Sequence, residues 1–314
     1  MFNKILVPLD GSDLAECALG PALRIAKGGH REVILLRVPL FTHKRITPHI
    51  EYDGLPPSEQ SIELLRNEVC HYLMAVQQAM APPGLPVRAE VVEGDVASVI
   101  VDTAETECVD LIVMSSHGYS GLTRWMLGSV TEKVLRSTPC PVMIVRSPKP
   151  LSKVLITLDG SELAELAVAP GIEMTNRLDA QLTLLCVQDE SMHRSRAERA
   201  QIVSEGSERD RPLADRLYES METYLRNLAQ RHRLAAGREI QTAVVTGPAA
   251  ESILDFAESH RIDLIIMATH GQTGLHRWVY GSVTAKVLRC THCAVLVIRL
   301  PTYKLRIELN RQRL

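Results

Sequence analysis

Short apolar runs and longer segments of helical period alternate along this chain. The first run, KILVPL from Lys4, ends at Asp10 and Gly11, and Ser12 then supplies a good N-cap for a helix. Runs rich in Val, Ile and Leu recur through the first half and predict strands near residues 3–8, 32–38, 87–92, 109–115 and 141–146. Because helical segments separate these runs, the pattern is typical of βαβ units and predicts an α/β fold with parallel sheets.

The second half of the chain repeats the first. KILVPLDGSDLAECAL from Lys4 aligns with KVLITLDGSELAELAV from Lys153, so a strand, its Asp-Gly-Ser exit and a helix start all recur. A longer stretch from Val109 aligns without a gap with the stretch from Ile262, and roughly 22 of its 38 positions are identical. This internal duplication predicts two domains and a tail, which we place at residues 1–148, 149–300 and 301–314.

Three other segments have their own character. The SPKP linker around Pro148 is short and carries proline, so we expect it to hold the two domains close together as an intramolecular pair. The tail alternates Leu305 and Ile307 with charged residues, which predicts an additional strand at a sheet edge. Residues 189–216 carry nearly balanced charges, which fits a solvated helix and loop, or else a lid or partner surface.

The composition argues against several classes of partner. A formal net charge of -2 gives no basic field for nucleic acid and no attraction to anionic lipid, so we expect neither nucleic-acid nor membrane binding. No apolar run approaches the roughly 20 residues that a membrane span requires. The first residues resemble a strand rather than a signal peptide, so we expect a cytoplasmic protein. Seven scattered cysteines indicate no disulfide framework.

The candidate chemistry lies at the carboxyl ends of two strands in each half. In open parallel sheets, ligands bind where the strand order reverses. The first strand exits at Asp10, and the fourth is followed by Gly118, Gly121 and Gly128, whose flexible backbone brings amides close to an anion. A helix then begins and aims its dipole at that anion. The same elements recur in the second half, so the sequence predicts two phosphate sites, at Gly128, Ser129, Val130, Thr131 and at Gly281, Ser282, Val283, Thr284.

A glycine-rich turn alone also fits a tight loop before a capped helix. Its recurrence together with the His-Gly, Arg-Trp and Gly-Ser-Val-Thr elements favours a site. With Gly118, nine further residues and then Gly128-Ser129, after a strand that ends in Met114, the chain resembles the universal stress protein family in its tandem, two-domain form. The resemblance implies two Rossmann-like domains of the adenine nucleotide alpha hydrolase type, each an open parallel sheet of five strands in the order 3-2-1-4-5, flanked by helices.

The resemblance also implies ATP as the ligand, with Mg²⁺ held through the phosphates and no metal ligand from protein side chains. The family contains both ATP binders and non-binders. Its signature opens with a glycine that is Ser115 here and Ala268 in the second half, so both positions carry a Cβ near the ribose. The implied contacts are to ribose for Asp10 and Asp159, to adenine for Val38 and Val187, to the sugar for Met114, Ser115, Met267 and Ala268, and to phosphates for Gly118, Gly128, Gly271 and Gly281.

Several of these residues have a second interpretation. Each strand-exit aspartate also fits a simple turn. Arg124 and Arg277 fit either a contact to a terminal phosphate or a solvated loop cation. Trp125 and its counterpart in the second half fit a structural anchor or a domain contact better than stacking on a base. His117 and its counterpart have no His, Cys or carboxylate at ligand spacing beside them, which argues against a metal site.

The sequence therefore predicts a non-enzymatic, ATP-binding stress or regulatory protein. Neither a Gly-x-x-x-x-Gly-Lys-Ser/Thr loop nor a Ser, His and Asp grouping is evident. Cys290 and Cys293 have redox spacing, but they lie at a predicted helix end where the dipole disfavours a thiolate. The alternatives are a slow ATP hydrolase or adenylyl-transfer enzyme, and a nucleotide-free interaction module. Single-domain relatives pair through their last strands, so residues 141–146 and 294–299 are expected to pair within the chain, and a homodimer of two chains is left open.

Overall fold

The computed structural model describes residues 1–39, 45–47, 50–51, 59–116, 127–188, 213–269 and 281–298 of the 314-residue chain. The chain divides into two compact units, Met1–Pro148 and Lys149–Leu314. The strand expected in the tail and most of the charged segment 189–216 lie outside the described residues. No helix in the described part is both long enough and apolar enough to cross a bilayer.

The first unit is built on one five-stranded parallel sheet. Its strands are β1 Lys4–Leu9, β2 Glu32–Arg37, β5 Val87–Val91, β6 Leu111–Ser115 and β7 Val142–Val145. They lie in the order β5-β2-β1-β6-β7, which is 3-2-1-4-5 when the five are counted along the chain. Two further short strands, β3 Arg45–Thr47 and β4 Ile50–Glu51, pair with each other in antiparallel fashion. The α/β class and the strand order are those predicted.

Helices separate the strands of this sheet. They are α1 Asp13–Glu16, α2 Leu19–Ile25, α3 Glu59–Met80, α4 Val96–Thr106 and α5 Ser129–Ser137. The first helical segment begins after Ser12, as expected, but it is broken at residues 17–18 into α1 and α2. Pro21 explains the break, because proline has no N–H for the carbonyl four residues earlier, that of Cys17.

The second unit repeats this architecture. Its sheet has the order β10-β9-β8-β11-β12, again 3-2-1-4-5, and all four neighbouring pairs are parallel. The strands are β8 Lys153–Leu158, β9 Gln181–Gln188, β10 Ile240–Thr246, β11 Leu264–Ala268 and β12 Ala294–Ile298. The helices are α6 Glu162–Glu165, α7 Val168–Leu178, α8 Leu213–Ala236, α9 Ala249–Ser259 and α10 Ser282–Cys290.

The central strands of each sheet are buried on both faces. In β1 the run Ile5, Leu6 and Val7 is completely inaccessible, and so is the run from Leu111 to Val113 in β6. Burial of each large side chain contributes roughly 1.5–3 kcal/mol, so these strands form a rigid platform. Continuous apolar runs of this kind are typical of parallel strands covered by helices on both sides.

A carboxylate fixes the two central strands of the first sheet at their amino ends. Oδ2 of Asp110, just before β6, accepts hydrogen bonds from the backbone amides of Asn3 at 2.9 Å and Lys4 at 3.1 Å. The backbone amide of Asp110 donates to the carbonyl of Lys4 at 2.9 Å. Asp263 makes the same contact with the amides of Ser152 and Lys153 in the second unit. These bonds fix the register between the two central strands of each sheet. The carboxyl ends of the same strands carry the candidate site.

Candidate functional site

The strand order reverses between β1 and β6. β1 is flanked by β2 on one side and by β6 on the other, so the chain leaves β1 toward one edge of the sheet and later returns to the other. Loops that leave the carboxyl ends of such a pair diverge and open a crevice. The first half thus brings the exit of β1 and the exit of β6 to one place, and β8 and β11 do the same in the second half.

The exit of β1 is a turn held by an aspartate. Oδ1 of Asp10 accepts from the backbone amide of Ser12 at 3.0 Å and from its hydroxyl at 2.6 Å. The Ser12 hydroxyl oxygen in turn accepts from the amide of Ala15 at 3.2 Å and caps α1. Gly11 has a φ of +82°, a left-handed conformation that glycine adopts without steric cost. The turn therefore fixes the orientation of the Asp10 carboxylate.

The second half builds the same turn from the same residue types. Oδ1 of Asp159 accepts from the amide of Ser161 at 3.0 Å and from its hydroxyl at 2.6 Å, and the Ser161 oxygen accepts from Ala164 at 3.1 Å. Gly160 has a φ of +75°. Both aspartates thus make the strand-exit turn that the sequence analysis weighed against ribose binding, and an oriented carboxylate is compatible with either role.

The helix after β6 begins at a glycine. Gly128 is the N-cap residue of α5, with φ −61° and ψ 146°, and no side chain of the described residues caps the helix by a hydrogen bond. Its amide donates to the carbonyl of Ser116 at 2.9 Å, which holds the helix start against the strand end. In contrast, α4 is capped by Asp95, whose Oδ1 accepts from the amide of Ser98 at 3.1 Å. The amides of the first turn of α5 have no acceptor within the helix, and the positive end of its dipole lies at the crevice.

A buried threonine ties each of these helices to the preceding strand. The Thr131 hydroxyl donates to the carbonyls of Ser115 at 3.2 Å and Ser116 at 3.3 Å, and the Thr284 hydroxyl donates to the carbonyl of Ala268 at 3.3 Å. The two side chains are 3% and 4% exposed. In this structure the single hydroxyl hydrogen of each threonine is used within the chain, so neither hydroxyl is positioned to donate to a phosphate as the sequence predicts.

Gly281 occupies a position where the chain itself would accept a side chain. Its φ is −55°, which every L residue adopts. A Cβ placed on it would lie 3.6 Å from the carbonyl oxygen of Thr269, an ordinary contact, and no other atom of the described residues comes within 4 Å. The backbone conformation and the packing of the described residues therefore do not require a glycine here. Because Gly281 has no side chain, the described residues leave space open over the start of α10.

The remaining described candidates line the strand ends. Met114, Ser115 and Met267 are buried, and Ala268 is half-buried at the end of β11. Val38 is buried and follows β2 directly, at the edge of the sheet that carries Asp10. Its counterpart Val187 is half-buried in β9. Four predicted residues, together with the loop tryptophans and histidines, lie outside the described residues: Gly118, Arg124, Gly271 and Arg277.

A polar cluster beside the Asp10 turn was not predicted from the sequence. The guanidinium of Arg37, the last residue of β2, lies over the Tyr72 ring with Cζ 5.6 Å from its centroid. The Tyr72 hydroxyl donates to Oε1 of Glu16 at 2.8 Å. Burial, together with this bond to Glu16, raises the pKa of Tyr72. The available signal was an arginine directly after four apolar residues, at the carboxyl end of β2.

The second half keeps only part of this cluster. Tyr224 and Glu165 correspond to Tyr72 and Glu16, and burial with the neighbouring Glu165 charge raises the pKa of Tyr224. At the place of Arg37 the second half has Cys186, which is completely buried, and burial raises the pKa of its thiol to about 11. The two candidate sites therefore share a backbone plan and differ in local charge.

Comparisons with known proteins agree with the duplicated architecture. A family model described as the universal stress protein family matches residues 1–146 and again residues 150–299. The universal stress protein MJ0531 of Methanocaldococcus jannaschii is 37% identical over 152 residues, which is 48% of this chain and 85% of that protein. The universal stress protein YxiE of Bacillus subtilis is 36% identical over 153 residues, which is 46% of this chain and 100% of that protein.

Nearly the whole chain also resembles a solved structure. A universal stress protein from Archaeoglobus fulgidus matches with a TM-score of 0.68 and 20% sequence identity, covering 96% of this chain and 100% of the other. At this level of identity the match establishes the fold of the tandem chain.

Proposed function

The chain belongs to the universal stress protein family, with one family domain in each half, and from that membership we propose that each half binds an adenine nucleotide, with ATP as the ligand. The family gives the protein a stress-related role. In our proposal the protein acts through its nucleotide-bound state and not through turnover of the nucleotide.

The observation that carries this proposal is the start of α5 and of α10. Each of these helices begins at a glycine without a side-chain cap, at the point where the strand order of its sheet reverses. At Gly281 the described residues leave room for a Cβ, and a phosphate would occupy that space. Backbone amides and the helix dipole are the groups that hold phosphates at helix starts. The residues present therefore fit a nucleotide phosphate.

The other residues have roles that match the parts of a nucleotide. The carboxylates of Asp10 and Asp159, oriented by the serines that follow, would accept hydrogen bonds from ribose hydroxyls. Val38 and its counterpart would supply an apolar contact for the base. The phosphates would bond the first-turn amides and the hydroxyl that opens each helix, at Ser129 and Ser282. A Mg²⁺ ion bound with ATP would neutralise part of the phosphate charge and be held through the phosphates.

We assign binding rather than catalysis to this arrangement. Among the residues that the structure describes, the groups that would meet the phosphates are backbone amides and serine hydroxyls, and neither supplies a general base at neutral pH. Electrostatic contact alone orients a polyphosphate without transferring a proton. The site thus suits a sensor or carrier of ATP.

Two measurements on the purified full-length chain test this proposal. Heat denaturation of freshly purified protein, followed by chromatography of the supernatant, should release adenine nucleotide. Calorimetric titration of nucleotide-free protein with ATP should show saturable binding, with GTP as the control for selection of the base. A protein that neither releases nucleotide nor binds ATP would be an interaction module, and ADP release above a no-enzyme blank would make it an enzyme.

A further inference from the structure

Arg37 and Cys186 occupy the same place in the two halves. The register of β1 against β2 pairs Leu9 with Arg37, and the register of β8 against β9 pairs Leu158 with Cys186. In both halves a valine follows immediately. The apolar contact proposed for the base is thus the same in the two halves, whereas the residue beside it changes from a cation to a thiol.

In the first half the guanidinium lies directly against the strand-exit turn. A Cβ built on Gly11 would lie 2.9 Å from Nη1 and 3.2 Å from Nη2 of Arg37, so the guanidinium fills the space on that side of the glycine. The Nε and Nη1 atoms are buried. Tyr72 lies under the guanidinium, and Glu16 receives the Tyr72 hydroxyl hydrogen. A partly buried positive charge is therefore held next to Asp10, the proposed ribose ligand.

In the second half no described residue takes the place of this guanidinium. No atom of the described residues lies within 4 Å of a Cβ built on Gly160. Cys186 is completely buried, and its thiol, with a pKa of about 11, is neutral at physiological pH. The Asp159 turn thus keeps its shape without a cation from this position.

We propose that Arg37 is a specificity-determining residue, which makes the first site prefer ligands that carry a phosphate group beside the Asp10 turn, and that the second site lacks this preference. The inference rests on the proposed nucleotide binding and deepens it. An arginine offers several N–H donors to a phosphate, and charge-assisted bonds of this kind are stronger when partly buried. A phosphate on the ribose and the 5′-phosphate chain share this chemistry.

The test isolates one site at a time in the full-length chain. Gly281→Val blocks the second site and leaves the first, while Gly128→Val does the reverse. In the Gly281→Val background, calorimetry compares adenosine, ATP and adenosine 3′-phosphate for the parent and for Arg37→Cys, which installs the residue of the other half. Arg37→Lys is the control that keeps the charge, and Arg37→Gln keeps most of the length without it.

We expect Arg37→Cys and Arg37→Gln to weaken binding of a phosphate-bearing ligand by about tenfold or more, since a hydrogen bond to a charged group is lost. The affinity for adenosine should change by less than about twofold. Arg37→Lys should retain part of the preference for phosphate-bearing ligands over adenosine. A larger loss for adenosine 3′-phosphate than for ATP would place the phosphate on the ribose, and the reverse would place it on the 5′ chain. Thermal unfolding shows which variants fold, and Arg37→Gln carries the test if Arg37→Cys does not.

The results separate this inference from the proposed function. If the parent binds ATP and the variants lose adenosine and phosphate ligands equally, or lose neither, Arg37 only shapes the turn and the inference is overturned. If the parent binds no nucleotide at all, the proposed function is overturned, and the inference with it. In the Gly128→Val background the second site should bind ATP with a smaller preference over adenosine than the first site shows, and an equal preference would also contradict the inference.

Discussion

The hydroxyl of Thr131 donates to the backbone carbonyl of Ser115 across 3.2 Å and joins the first turn of α5 to the last residue of β6. The proposed site is therefore not two independent loops. The helix start is held at a set distance from the strand end before any ligand arrives. Such preorganisation lowers the ordering cost of binding.

We expect Thr131→Val together with Thr284→Val to weaken ATP binding and to lower the free energy of unfolding by about 1 kcal/mol per site, because each change removes one buried hydrogen bond. Urea denaturation and calorimetry measure the two effects. Thr175→Val is the matched control: its buried hydroxyl donates to the carbonyl of Gly171 at 2.7 Å, within α7. That variant should lose comparable stability and keep its ATP affinity. An equal loss of affinity in the control would contradict a specific role for the threonine ties.

Gly128→Val together with Gly281→Val should abolish ATP binding while the protein stays folded. The valine side chains would fill the phosphate position above the helix starts, and the 3.6 Å contact at Gly281 indicates that the chain accommodates a Cβ there. We expect affinity to fall by a factor of about 100 or more. Gly20→Val is the control, because Gly20 is exposed in α2 and nothing in the described residues lies within 4 Å of its Cβ position. Unchanged ATP affinity in the double variant would show that the phosphates bind elsewhere.

Asp110→Ala should destabilise the first half without a direct effect on nucleotide binding. The carboxylate accepts two backbone amides at the amino ends of the central strands, far along the sheet from the proposed site. Loss of these bonds should cost about 1–3 kcal/mol, which urea denaturation would detect. Asp102→Ala, an exposed position on α4, should cost much less. A matching loss in both variants would mean that the Asp110 bonds add little to stability.

Stability should fall in alkaline solution because of two half-buried tyrosines. Burial and a neighbouring glutamate raise the pKa of both Tyr72 and Tyr224, so the folded chain keeps these hydroxyls protonated where the unfolded chain has lost them. Their stabilising contribution is complete below about pH 10, the ordinary tyrosine pKa, and declines as the pH rises above it. Urea denaturation at intervals of about one pH unit, from about pH 8 to about pH 11, would measure the decline in stability. Absorbance of tyrosinate would report the ionisation of the hydroxyls.

Replacing both tyrosines by phenylalanine should flatten the decline. Each variant keeps the ring that packs beside α1 or α6 and removes the ionisable hydroxyl. The buried thiols of Cys140 and Cys186, whose pKa is raised by burial to about 11, have the same sign and would leave a residual slope. An undiminished slope in the double variant would assign the alkaline sensitivity to groups other than Tyr72 and Tyr224.

The sheet could be predicted from the sequence because apolar runs and turn residues are local signals and recur in both halves. The strand bounds in the first half agree with the structure to within two residues, and the helix starts after Ser12 and Gly128 are where capping and glycine preferences placed them. The hairpin of β3 and β4 was not predicted. It lies in residues 39–60, where the two halves do not resemble each other and the alignment gives no support.

The polar surroundings of the site could not be predicted in the same way. Glu16, Arg37 and Tyr72 lie on three different elements, and their contacts depend on how α3 packs beside β2. Periodicity shows which side chains are buried but not which partner a buried hydroxyl finds. The same limit applies to Thr131, whose hydroxyl bonds a strand carbonyl sixteen residues away in sequence, as the structure shows.

The aspartates that clamp the amino ends of the central strands, Asp110 and Asp263, make the same bonds in both halves. At the opposite rim the two copies have diverged, with Arg37 against Cys186 and Ser115 against Ala268. The bonds that hold the central strands of each sheet together therefore lie at the opposite end of the strands from the residues that would select its ligand. After the duplication, one copy was free to change its chemistry at one rim without loosening the anchor at the other.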